Sequence, residues 1–205
     1  FTNGARVDRL VPGGVDALSM QVGLGGVNVA GAKSGTVNLG FVSDGFGTSG
    51  LANLDLGVQQ VQLSGTVYRL ATGQAPEVVQ LASVREGGSF TMTGLPIRNT
   101  AVSDGFSEKL NAAFGAISGD VLTNGASVAR MTAGGIDGSM SVRLADAQAR
   151  VAGAKSGTVV VGFESDGQGT TGLAALANGW NTVKVQGNVY RLATPVFLPS
   201  EVALG

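Results

Sequence analysis

The feature that most constrains this chain is an internal repetition. Ala30-Gly-Ala-Lys-Ser-Gly-Thr-Val37 returns unchanged as Ala152-Gly-Ala-Lys-Ser-Gly-Thr-Val159. Thr2-Asn-Gly-Ala-Arg-Val7 returns as Thr123-Asn-Gly-Ala-Ser-Val128, and Val67-Tyr-Arg-Leu-Ala-Thr72 as Val189-Tyr-Arg-Leu-Ala-Thr194. Ser43-Asp-Gly-Phe-Gly-Thr-Ser-Gly-Leu51 returns as Ser165-Asp-Gly-Gln-Gly-Thr-Thr-Gly-Leu173. A repeat of about 120 residues is domain-sized and builds its own core, unlike a solenoid coil of roughly 20–50. Residues 77–194 form one complete unit, and residues 1–72 match only its later part. Residues 73–76, Gly-Gln-Ala-Pro, read as a linker. Residues 195–205 form an apolar tail that loosely echoes the start of the complete unit. The tail reads as the first strand of a next repeat or as a strand donated to a neighbouring copy.

Within the unit, apolar and polar residues alternate with a period of two, the pattern of a half-buried strand. The clearest cases are 158–163 and 182–190, with 61–68 repeating the latter in the first unit. Further strands are expected at 78–84, 89–95, 139–144, 106–114 and 126–131. Gly-rich turns separate them. A helix is conceivable only at 107–114, where strand is preferred, or at 173–177. About seven short antiparallel strands per unit predict an all-β fold of tandem immunoglobulin-like β-sandwiches, the first one incomplete. The repeated glycines predict one loop shape for 43–51 and 165–173.

Composition removes several function classes. The chain has 205 residues with no His and no Cys. Disulfide staples, thiol nucleophiles, imidazole bases and the usual metal ligands are thereby absent. Thirteen Lys and Arg against fourteen Asp and Glu provide no basic field for nucleic acid. Apolar stretches are short and broken by Gly, too short for a membrane helix. The start at Phe1 reads as a processed chain or a piece of a longer one.

The motifs that could carry chemistry reduce to turns. Gly45-Phe-Gly-Thr-Ser-Gly50 and Gly167-Gln-Gly-Thr-Thr-Gly172 fit the dinucleotide spacing but lack its strand–helix setting. In Gly31-Ala-Lys-Ser34 and its copy, Ala32 and Ala154 separate Gly from Lys33 and Lys155, which breaks a phosphate loop. Asp44 and Asp166 in Asp-Gly loops are the places a weak Ca²⁺ site would form, but a single carboxylate per loop favours an Asx-turn. Asp137, Asp146 and Glu164 are scattered carboxylates expected in solvent. Trp180, aligned with Val58, is expected to pack over a sandwich end or anchor a ligand. Tyr68 and Tyr190 are expected to be packed structural residues. No catalytic, cofactor-binding or metal-binding residue is assigned, no cofactor is expected, and the chain is not expected to be an enzyme.

The order of an opening strand, the Thr91–Thr100 segment, a Gly-Gly turn, Ser156-Gly-Thr-Val and a closing Val-x-Gly-x-Val-Tyr resembles the immunoglobulin-like ASH domains. It is most similar to the bacterial extracellular choice-of-anchor tandem repeats, and the resemblance covers 77–194 and, in part, 1–72. It implies a secreted or cell-surface location in bacteria and a structural role in a surface, matrix or filament protein. The implied partners are copies of the chain or adjacent repeats, met head-to-tail and possibly by strand addition, with no nucleic acid and no membrane span. The alternative is a ligand-binding adhesin module that uses loops 43–58 and 165–181.

Overall fold

The structure is a computed structural model that describes residues 1–197. It separates into two compact units, Phe1–Arg69 and Leu70–Gly205. No α-helix occurs among the described residues, and no helix is long and apolar enough to cross a membrane.

The first unit contains one long hairpin, β1 (Gly31–Ser43) and β2 (Leu54–Val67), paired from Gly31↔Val67 to Ser43↔Leu54. The residues before it are irregular apart from a single Thr2↔Val22 bridge.

The second unit begins with β3 (Gly73–Gln74), β4 (Val78–Gln80), β5 (Val84–Arg85), β6 (Thr93–Gly94) and β7 (Ile97–Asn99). It continues with β8 (Lys109–Ser118), β9 (Val121–Thr123), β10 (Val128–Met131), β11 (Ile136–Asp137) and β12 (Ser141–Leu144). A short 3₁₀ turn at Asp146–Arg150 leads into the hairpin β13 (Gly153–Asp166) and β14 (Leu176–Tyr190). One sheet runs β10-β8-β13-β14-β4, with β5 also on β14; two small sheets run β11-β7-β3 and β6-β12-β9.

These sheets enclose a single core, as two-layer architecture requires. From the large sheet come Leu110, Val159, Val161, Phe163, Val183 and Val185. From the small sheets come Ile97, Val142 and Leu144, joined by Leu95 and Met140 beside the strands. The alternation in 182–190 places Val183, Val185 and Val189 inward and Lys184 outward, as a period-two strand must. The unit is all-β and matches the expected immunoglobulin-like sandwich in its layers.

Several expectations change in detail. The 106–114 region enters strand β8 at Lys109, and 173–177 is irregular backbone followed by the start of β14 at Leu176, so neither is helical. The run 78–84 is not one strand. β4 and β5 both pair with β14, and the three residues between Gln80 and Val84 stand against the two between Gln186 and Val189, so an extra residue interrupts the ladder. Both pairings are parallel, where antiparallel strands were expected throughout. The run 89–95 contributes only the two residues of β6. Residues 73–76, expected as a linker, lie inside the second unit: Gly73 pairs with Asn99 and Ala75 is buried. Of the tail, 195–197 are exposed, and 198–205 lie outside the described residues.

Candidate functional site

Two places in the molecule concentrate polar side chains on a strand framework: the Asp-Gly loops at the hairpin ends, and the outer face of the large sheet.

The two hairpin loops agree bond for bond. In the first, Asp44 Oδ1 accepts from the Phe46 N–H, and the Gly45 carbonyl accepts from Thr48 N–H, Thr48 Oγ1 and Gly50 N–H. In the second, Asp166 Oδ1 accepts from the Gln168 N–H, and the Gly167 carbonyl accepts from Thr170 N–H, Thr170 Oγ1 and Gly172 N–H. Gly47 and Gly169 share a left-handed backbone, at φ 80° and 85°, which the turn requires and which a side chain would strain. Asp44 and Asp166 are therefore Asx-turn residues, and each faces an arginine: Arg9 at 3.6 Å and Arg130 at 3.9 Å. Among the described residues no group of three or more potential metal-binding side chains gathers.

The second loop also holds a carboxylate that sequence reasoning missed. Glu108 is 5% exposed. It accepts from Ser165 Oγ at 2.7 Å and from Thr171 Oγ1 at 2.7 Å. Ser165 Oγ in turn accepts from the Ala71 N–H at 2.8 Å, and Asn178 Nδ2 donates to the Ala71 carbonyl. A buried carboxylate is tolerable only when hydrogen-bonded, and here two hydroxyls meet that need. The signal available in the sequence was the pair Ser165 and Thr171 recurring as Ser43 and Ser49.

On the outer face, Ala113, Gly162 and Trp180 stand in register across β8, β13 and β14. The neighbouring row is Asn111, Glu164 and Ala177. The small side chains leave an open groove of about 690 Å³, flanked by Trp180, Glu164, Asn111 and Arg130. The indole is 71% exposed. Trp180 therefore does not cover a sandwich end; it offers a flat aromatic face beside a carboxylate and an amide. Such a surface can stack on a ring and accept hydrogen bonds from its substituents. In the first unit, Val58 replaces the tryptophan.

The remaining candidates are structural. Asp137 Oδ1 accepts from the Ser139 N–H at 2.7 Å, and the hydrogen bonds from Ser139 hold its carboxyl below the ordinary aspartate range. Asp146 pairs with Arg143 at 2.6 Å, on the surface. Lys33 and Lys155 lie within β1 and β13. Tyr190 is 60% exposed, which corrects the expectation of a packed ring there; Tyr68 is half-buried.

No family model and no curated protein matches the chain. Among solved structures it is similar to an ASH/PapD-like domain of human CEP192 (PapD-like domain 7), at 8% identity and a TM-score of 0.40. That match covers 60% of this chain and 89% of the other.

Proposed function

We propose that this chain is a structural repeat segment of a secreted bacterial surface, matrix or filament protein, built from tandem β-sandwich units that associate head-to-tail. The observation that carries the reading is the bond-for-bond equivalence of the two hairpin loops, combined with the opposite burial of repeated positions in the two units. Met140 and Val142 are fully buried, whereas their repeats Met20 and Val22 are each 45% exposed. Phe163 is 3% exposed and Phe41 45%. The resemblance to choice-of-anchor repeats supplies the bacterial, extracellular part of the reading. Sedimentation velocity over a wide concentration range tests it: the reading expects mass to grow with concentration, and a monomer at all concentrations contradicts it.

A second reading, an adhesin module working through loops 43–58 and 165–181, is favoured by the Trp180 groove. Glycan-array binding that Trp180→Ala abolishes would support it, and no binding to any glycan would remove it.

A further inference from the structure

We propose that the outer-face groove of the second unit binds an arginine side chain on an extended segment of a partner protein, with the guanidinium stacked on Trp180 and paired with Glu164. This goes beyond the assembly reading, and it gives the groove of the second reading a different ligand. The two groups that hold the arginine are specific to the second unit. At the repeated positions the first unit has Val58 for Trp180 and Val42 for Glu164, while Gly162 recurs as Gly40. Both valines are exposed, at 67% and 58%. A strand residue of ordinary kind therefore serves the fold at either position, and neither a tryptophan nor a carboxylate is called for by the sheet.

Charge selects a cation. The groove is lined by two carboxylates, Glu164 and Asp166, and one cation, Arg130. Arg130 faces Asp166 at 3.9 Å and donates to the Gln168 carbonyl at 2.9 Å. Asn111 is engaged as well: its Oδ1 accepts from the Arg130 N–H at 2.8 Å, and its Nδ2 lies 3.5 Å from Asp166 Oδ2. Glu164 is exposed, and among the described residues no donor or cation meets its carboxylate. One negative charge is left over beside an open indole face. A sugar can stack on that face, but it leaves the charge uncompensated; a cation answers ring and charge together. Geometry selects arginine among cations. Trp180 is opposite Gly162, and Glu164 is opposite Ala177 in the next row. Diagonal neighbours of this kind lie about 7–8 Å apart on one sheet face, within reach of long and aromatic side chains. A guanidinium is planar, lies flat on an aromatic ring and presents paired N–H groups edge-on to a carboxylate, whereas an ammonium is a compact point charge. The chain already makes such a stack: Arg9 Cζ lies 4.1 Å from the centre of the Phe46 ring. The groove, at about 690 Å³, holds more than one side chain, and the small residues Ala113 and Gly162 leave room for flanking backbone.

Trp180 is the single tryptophan of the chain, so its fluorescence reports on the groove alone. The test titrates a capped Gly-Gly-Arg-Gly-Gly peptide into the full chain. The expected result is a saturable change in tryptophan emission, with NMR shift changes confined to the second unit. The same peptide with citrulline, a neutral isostere of arginine, should bind about ten-fold more weakly, because the charge-assisted bond is lost. Glu164→Gln should weaken the arginine peptide to a similar degree. Trp180→Ala, followed by NMR, should weaken it by about five-fold or more, the size of an exposed cation–π contact. Both side chains are exposed, so these variants keep the fold. Equal binding of the citrulline peptide, or binding indifferent to Glu164→Gln, overturns the proposal. The absence of a saturable response up to about 10 mM peptide, weaker than any useful affinity, also overturns it. A response to neutral oligosaccharides with none to the peptide gives the groove to a glycan and likewise overturns it. If Trp180→Ala abolishes growth of mass with chain concentration in sedimentation, a second copy fills the groove and the proposal is again wrong.

Discussion

Glu108 shows how one residue ties a loop to a sheet. Its carboxylate accepts from Ser165 and Thr171, and Ser165 also receives the Ala71 N–H, so the opening segment, β8 and the hairpin loop meet at one buried group. Glu108→Ala leaves the buried Ser165 hydroxyl without its acceptor, an effect of about 1–3 kcal/mol for an unsatisfied buried group. Thermal unfolding should show that loss in the second unit alone. Asp16 and Asp137 carry a pH dependence. Ser19 and Leu18 donate to Asp16 and Ser139 donates to Asp137, and both carboxyls are held below the ordinary aspartate range. A depressed folded-state pKa contributes stability above the unfolded value, about 3.9, and loses it as pH falls through the folded one. Melting temperature should be level from neutral pH down to about 5 and decline below about 4. In the Asp137→Asn protein the decline should be shallower. Tyr190, with most of its ring in solvent, should tolerate Ala with a change within about 0.5 kcal/mol.

At the scale of elements, the two hairpins have one register and two environments. Gly31↔Val67 matches Gly153↔Val189, and each hairpin has a register shift near its loop end. Phe163→Ala should cost about 3–5 kcal/mol, the usual range for a buried phenylalanine. Phe41→Ala, at the repeated position on an open face, should cost under about 1 kcal/mol; equal losses in urea unfolding would show that the first unit already has a closed core. The hairpin strands were legible in the sequence because long alternating runs report directly on a two-faced sheet, whereas the β8 region alternates poorly and was read as strand in preference to helix. The short strands were not. β5, β6 and β11 are two residues each, too short to carry a period, and they are set by partners across the sandwich. Residues 73–76 read as a linker because Gly and Pro usually punctuate. In fact Gly73 is needed where it is: a Cβ there would lie 2.3 Å from the Phe163 ring. The Asx-turn roles of Asp44 and Asp166 were legible from Asp-Gly chemistry. Glu108 and the Trp180 groove were not, because both depend on which strands become neighbours, which the local pattern does not report.

For the whole molecule, the account comes down to whether the first unit is an open copy of the second. The two share loop bonds, arginine–aspartate pairs and hairpin register, and they differ in that β13 pairs with both β14 and β8, whereas among the described residues β1 pairs with β2 alone. Amide hydrogen exchange on the full chain at high dilution tests this most directly, because protection follows local pairing and burial. The account predicts that the β13 amides bonded to β8 exchange slowly, while the equivalent amides on the free edge of β1 exchange at nearly the rate of an unstructured chain. Equal protection of the two strands in a dilute monomer would contradict it.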